Sequence, residues 1–276
     1  MALANHLVSS RFELEDVSWR RAAGVYYGEH RMLCRLLGDY LAFVDTRDFM
    51  LAPRLVLDGF WEAWVTLALG RYIQPGFHCV DVGANYGYYT LLMAAACGRG
   101  GRVLACEPNP VLAETYLPGN LALNGFRDRV EICQKVIGNI NAERVDFVLH
   151  DGDYATSSLE RWAYPHRSQN IQVPAITLDN ALAGWERLDL VKIDAEGAEA
   201  LVWEGMQETL KRFPHAAVLV ELHLQRDPPQ VTSFLHQLER DGYGLRYLNY
   251  DGDIVQAEAA TILAQPQEHW MLWMVR

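Results

Sequence analysis

The sequence predicts an α/β protein built on a doubly wound, mostly parallel sheet. Three observations carry that expectation. From residue 77 onward, apolar runs of strand length alternate with stretches of helix length. The first run passes into a helix through a glycine-rich turn, and successive runs end on acidic residues. The runs are almost continuously apolar, as strands covered by helices on both faces must be.

Residues 1–73 read as an N-terminal extension or cap, with a strand-like piece at 40–44 and one helix over 59–72. On that helix Trp61, Trp64, Val65, Ala68 and Leu69 recur at helical spacing. The chain divides at Gln74-Pro75-Gly76, and 74–276 reads as one domain. Within it, 77–82 is a strand, 88–97 a helix, 101–106 a strand, 110–124 a helix closed by Asn124-Gly125, and 130–136 a strand. Residues 139–187 break the rhythm, with a short strand at 171–176, and form an insertion that caps the site or adds an edge. The alternation resumes with a strand at 188–194, a helix at 198–213, a strand at 216–222 and a helix at 229–241. The end, 243–250 and 269–275 with the turn Asp251-Gly252-Asp253, lacks a helix of normal length and predicts an antiparallel pair at one edge.

Composition narrows the function classes. The 276 residues, half of them hydrophobic, suffice for one large core or a core with a small appendage. A formal net charge of -11 disfavours a phosphate backbone as partner, so nucleic acid is not expected. Cys34, Cys79, Cys97, Cys106 and Cys133 form no C-x-x-C pair and read as reduced thiols of a cytoplasmic protein. No apolar run approaches the roughly 18 residues of a membrane span, and residues 1–15 lack a basic segment followed by an apolar one. A homodimer is compatible with this composition.

Ligands of an open parallel sheet bind beyond the carboxyl ends of its strands. The polar residues there are Asp81, Glu107, Asp194, and the pair Glu221 and His223. The first turn, Gly83-Ala84-Asn85-Tyr86-Gly87, brings backbone amides close to a ligand but lacks the middle glycine of a dinucleotide loop. Asp81, two residues before Gly83, would repel a diphosphate and attract a cationic amino-acid end, such as the ammonium and sulfonium of S-adenosylmethionine. Glu107, in Glu107-Pro108-Asn109, lies 20 residues beyond Gly87, the spacing at which a carboxylate accepts both hydroxyls of a ribose. A nicotinamide-dependent oxidoreductase is the alternative that the loop and Asp81 oppose.

Lys192 and Asp194 share a face of one strand, and a buried lysine requires an acid partner. Glu196 sits at the following turn, and Glu199 reads as a first-turn residue favoured by the helix dipole. Glu221 and His223 share a face of the next strand, so Asp194, Glu196, Glu221 and His223 should cluster beside the methyl donor. His223 is the candidate base for a substrate hydroxyl. A divalent metal on these acids and His223 is an alternative; no ligand spacing compels it, and none is expected. Tyr26, Tyr27, Trp61, Trp64 and parts of 139–187 are candidates to shape the acceptor pocket, although Trp64 fits ordinary core packing better.

These motifs resemble the FkbM-type methyltransferases. The likeness rests on Asp81-Val82-Gly83-Ala84-Asn85-Tyr86-Gly87-Tyr88-Tyr89-Thr90, Glu107-Pro108-Asn109-Pro110, and Asn120-Leu121-Ala122-Leu123-Asn124-Gly125. It extends to Lys192-Ile193-Asp194-Ala195-Glu196-Gly197-Ala198-Glu199, running on to Gly205, and to Asp58-Gly59-Phe60-Trp61-Glu62, similar to the family's Gly-x-x-Glu segment. It covers residues 40–225. The resemblance implies a Rossmann-like class I methyltransferase fold of seven strands, the last antiparallel. It implies S-adenosylmethionine as donor, S-adenosylhomocysteine as product, and a hydroxyl of a small-molecule natural product or glycan as acceptor, with N-methylation the alternative. Gly138-Asn139 looks like the family's step near the adenine.

Overall fold

The computed structural model describes residues 3–158, 168–224, 228–265 and 269–276. Its central sheet begins with β4 (His78–Val82), β5 (Arg102–Cys106) and β6 (Val130–Cys133), joined through the crossover helices α4 (Tyr88–Cys97) and α5 (Leu117–Leu123). β11 (Leu190–Ile193) and β12 (Ala217–Leu222) extend it on the other side of β4, and these five strands are parallel. Then come β15 (Trp270–Met274), antiparallel to β12, and the edge hairpin β13 (Arg246–Leu248) with β14 (Ile254–Gln256). The order is β14-β13-β15-β12-β11-β4-β5-β6. It reverses between β4 and β11, the place where a doubly wound sheet opens a crevice.

The sheet differs from the expected one by a single added strand. The sheet has eight strands rather than seven, the hairpin adding β14. β13 and β15 form the antiparallel pair expected toward one edge, with β15 entering between β12 and β13. The five residues of β15 are all buried, and a strand covered on both faces finds partners for its backbone only between two neighbours.

Period-two alternation divides the strand side chains between two apolar clusters. Val80, Val82, Val191, Ile193, Val218 and Val220 belong to one, and Cys79, Val103, Leu190, Ala217 and Leu219 to the other. The second cluster continues into the N-terminal segment through Leu7, Leu14, Leu36, Leu55 and Leu69, so apolar packing runs across residue 73. That segment holds α1 (Arg11–Arg21), the antiparallel meander β1 (Gly24–Gly28), β2 (Arg31–Leu36) and β3 (Tyr40–Asp45), then α2 (Ala52–Leu57) and α3 (Ala63–Tyr72).

Three predicted helices are altered. The helix expected at 59–72 begins at Ala63, because Gly59 and Glu62 adopt left-handed backbone, with φ of 74° and 37°. The helix expected at 110–124 contains a π turn, Leu112–Tyr116, just before Pro118, whose ring has no N–H to donate to the α-helical ladder. The helix expected at 198–213 divides into α7 (Glu199–Glu204) and α8 (Gln207–Arg212). At the break, a Cβ on Gly205 would stand 1.9 Å from the Gly138 carbonyl oxygen.

The insertion forms a sheet of its own. β7 (Val136–Ile137), β10 (Ser168–Ile176), β8 (Ala142–His150) and β9 (Asp153–Ser158) lie in the order β7-β10-β8-β9. Residues 159–167 of the predicted insertion lie outside the described residues.

Candidate active site

A cavity of about 400 Å³ opens beyond the carboxyl ends of β4, β5, β11 and β12. Its floor is the turn after β4, where Val82, Gly83, Ala84, Asn85 and Tyr86 line it. The turn is tight for steric reasons. Gly83 has φ of 79°, and a Cβ there would lie 1.9 Å from the Asp194 carbonyl oxygen. Asn85 also takes left-handed backbone, its side chain accepting from the Tyr86 N–H at 2.7 Å. Gly87, with φ of 88°, starts α4 from beneath and does not line the cavity.

Glu107 and Pro108 form the next wall. The two Glu107 oxygens accept from the Asn85 and Asn109 N–H groups, each at 2.8 Å. A carboxylate has about four lone-pair sites, so two remain for a ligand. Burial pushes this carboxyl up to about 7, against the pull of the two amides. Asn109 is buried behind the wall, where its Oδ1 accepts from the Val111 N–H. Lys135, Val136 and Ile137 continue the lining. Gly138 and Asn139 lie outside it, and the Asn139 amide donates to Glu204 at 2.8 Å.

The acids expected at the strand ends come together around one lysine. Lys192 and Asp81 are register partners on β11 and β4, which fixes them side by side. Lys192 is 1 % exposed; its Nζ donates to Asp194 Oδ2 at 3.0 Å, stands 3.9 Å from Asp81 Oδ1, and lies over the Tyr89 ring at 4.8 Å. Burial opposes its charge, but Asp194 and Asp81 outweigh that and raise its pKa. Asp194 lines the cavity; burial opposes its charge too, and Lys192 outweighs that and holds its carboxyl low. Asp81 is a correction to the expected site. Its carboxylate is sealed beneath the turn, accepting from Thr90 at 2.6 Å, so Asp194, not Asp81, faces the cavity.

Glu196, Glu221 and His223 line the same wall as Asp194. Burial raises Glu221, and the neighbouring Asp194 charge adds to it; the two carboxyls share a hydrogen bond. Glu196 stands in left-handed backbone with φ of 53°. Glu199 accepts from the Ala195 and Gly197 N–H groups, both at 3.0 Å, and so ties the turn that carries Glu196.

Several lining residues were not legible as site residues. Glu62, noted in the sequence only as part of a resemblance, enters the cavity and accepts from Tyr89 Oη at 2.6 Å. Burial, and after it the Glu221 charge, pushes Glu62 up to about 8. Met50 and Leu51 from the N-terminal segment, Phe147 and Tyr154 from the insertion, and His269 before β15 complete the wall. Of the four aromatics proposed for the acceptor pocket, Trp61 lines the cavity. Trp64 packs edge-on against Tyr250 at 5.2 Å, while Tyr26 and Tyr27 are exposed on β1.

A doubly wound sheet with an antiparallel strand between its last two parallel ones, and a nucleoside-sized crevice at its switch point, is a class I methyltransferase fold. The sequence matches the methyltransferase FkbM domain over residues 81–245, and the chain belongs to that family. Among curated proteins it is 48% identical over 59 residues to a protein-L-isoaspartate O-methyltransferase of Aeropyrum pernix, covering 21% of this chain and 22% of that protein. It is 32% identical over 81 residues to a ribosomal RNA large subunit methyltransferase E of Acinetobacter baylyi, covering 29% and 36%. The chain thus spans well under half the length of these curated relatives. Similar solved structures include an O-methyltransferase from Bacillus cereus in complex with SAH (14% identity, 78% of this chain, 80% of that one, TM-score 0.45). They also include the O-methyltransferase TomG from Streptomyces achromogenes in complex with SAM (16%, 78%, 78%, TM-score 0.44). Among the described residues no helix is long and apolar enough to cross a membrane.

Proposed function

We propose that this protein transfers a methyl group from S-adenosylmethionine to a hydroxyl of a small-molecule or glycan acceptor. The observation that carries the reading is that the glycine turn, the Glu107 carboxylate and the Asp194–Glu221–His223 wall all open into one cavity. The residues fit the donor. Gly83 lacks a Cβ where the backbone closes on Asp194, Glu107 keeps two acceptor sites for a ribose diol, and Pro108, Val136 and Ile137 offer apolar surface for a base. Asp194 and Glu196 supply negative charge for a cationic amino-acid end.

When bound, S-adenosylmethionine supplies a methyl group on a positively charged sulfur. The protein's share is placement and proton removal. Trp61, Met50, Phe147 and Tyr154 form an apolar rim that excludes water and confines the acceptor. His223, with Glu221 Oε1 3.4 Å from its Nε2, accepts the hydroxyl proton in the ion-free site, and the ionised Asp194 beside Glu221 stabilises the imidazolium that forms. Lys192 holds Asp194 ionised and in place.

Calorimetric titration of the purified protein with S-adenosylhomocysteine should give one site per chain; no heat and no thermal shift would remove the donor assignment. His223→Ala should lower turnover of an accepted hydroxyl substrate by about 10²-fold or more, with S-adenosylhomocysteine affinity within a few-fold of the parent. Unchanged turnover would remove His223 from the chemistry.

A further inference from the structure

Glu221 and His223 lie two residues apart at the end of β12 and project from the same face. β15 runs antiparallel beside it with Leu222 opposite Trp270, so the next step of the register sets His223 opposite His269. The three side chains converge. Glu221 Oε1 is 3.4 Å from His223 Nε2 and 3.8 Å from His269 Nδ1, and one donor atom from each residue lies within 4.8 Å of the others. The imidazole rings meet edge to face at 5.4 Å. Ligands bonded to a divalent ion at about 2.0–2.2 Å stand roughly 3.0–3.5 Å apart. Small side-chain rotations bring this trio to that spacing, and all three residues line the cavity.

We propose that Glu221, His223 and His269 form a divalent-cation site of two imidazoles and one carboxylate, with its remaining positions open to the cavity. The donor set selects the kind of ion. Two ring nitrogens and one oxygen suit Zn²⁺, Co²⁺, Ni²⁺ or Fe²⁺, whereas Mg²⁺ and Ca²⁺ want oxygen throughout. Three protein ligands with an open position are the arrangement of a catalytic metal site; structural sites are closed by four. The surroundings supply the charge balance. Glu62, Asp194 and Glu196 share the cavity wall with Glu221, and Lys192 is the lysine set among them. A cation at the histidine pair adds positive charge where carboxyls crowd.

The role of the ion, as distinct from its binding, rests on the methyl-transfer reading. An acceptor hydroxyl in an open position would be coordinated through its oxygen and acidified. His223 would then hold the ion, and the hydroxyl proton would pass to the Glu196 carboxylate on the same cavity wall. Two of the ligands are visible in the sequence as Glu221-Leu222-His223; the third stands just before the last strand, with nothing in its spacing to announce it.

The test uses the full chain stripped with chelator and dialysed, then titrated with Co²⁺ alone while visible d–d absorption is followed, and with Zn²⁺ in competition. One equivalent should bind per chain. His269→Ala should weaken binding about 100-fold or more, as should Glu221→Gln. His269 has 68% of its side chain exposed, so its alanine variant keeps the fold even where the buried Glu221 variant does not; melting curves check both. Absence of saturable Co²⁺ binding, or binding unchanged in His269→Ala and His223→Ala, overturns the site. S-adenosylhomocysteine titrated into the same samples separates the two readings. Binding of the nucleoside without the ion overturns the ion site and leaves methyl transfer standing. Binding of the ion without the nucleoside supports the site and removes the donor assignment.

Discussion

Glu107 shows how one side chain joins fold to function. It ties the glycine turn to the end of β5 through Asn85 and Asn109, while burial raises its carboxyl to about 7. A ribose diol donates to the ionised form, so nucleoside binding must remove whatever proton is present. Affinity for S-adenosylhomocysteine should therefore fall as pH drops below about 7. Glu107→Gln should bind roughly 10–100-fold more weakly at pH 8, the loss of charge-assisted hydrogen bonds, and its affinity should be nearly flat with pH. Calorimetry across pH 6–8.5 checks this; a parallel pH profile for parent and variant would exclude the diol role. Gly83 is constrained by space. Alanine there needs left-handed backbone and meets the Asp194 carbonyl at 1.9 Å, so Gly83→Ala should cost about 2 kcal/mol or more of stability and abolish nucleoside binding. Denaturant unfolding measures the first effect and calorimetry the second.

At the scale of elements, the acids meet because strands are in register. Lys192 on β11 faces Asp81 on β4, and the same period carries Asp194 past the strand end into the cavity. Removing the lysine charge leaves Asp194 and the sealed Asp81 without their cation. Lys192→Met is expected to destabilise by about 3–5 kcal/mol, read as a lower urea midpoint with little change in slope. A loss under 1 kcal/mol would show that the acids simply take up protons. The turn between β11 and α7 works the same way: Glu199 holds its amides so that Glu196, in left-handed backbone, reaches the wall. The lysine pairing was legible from alternation within one strand. The break at Gly205 was not, because it depends on the Gly138 carbonyl arriving from a distant loop.

Across the whole molecule, the site gathers more carboxyl groups than cations, and burial keeps several protonated. Glu62 and Glu107 are raised to about 8 and about 7 from an ordinary 4.5, and Glu221 is raised as well. Between pH 4.5 and 8 the folded chain thus binds more protons at these groups than the unfolded chain, and its stability falls as pH rises. Asp45 and Asp194 are lowered, and their stabilisation is lost only as pH falls through values below 3.8, outside this window. Thermal midpoints of the ligand-free protein should decline from pH 5.5 to 8.5, and S-adenosylhomocysteine should restore more at the upper end. A midpoint that climbs steadily with pH would contradict these buried carboxyls.

The sequence by itself determined the strand–turn–helix of the first loop, the acids at the strand ends, the parallel sheet and the family. Each is written in residues close along the chain, where period-two alternation, glycine freedom and apolar runs act locally. The tertiary structure alone decided that β15 stands between β12 and β13 and that Asp81 is sealed while Asp194 faces the cavity. It alone brought Glu62 and Met50 from one end of the chain, Phe147 and Tyr154 from the insertion, and His269 from just before the last strand to one wall. Those meetings depend on cross-strand register and on which elements cover the sheet, and local spacing carries no information about either.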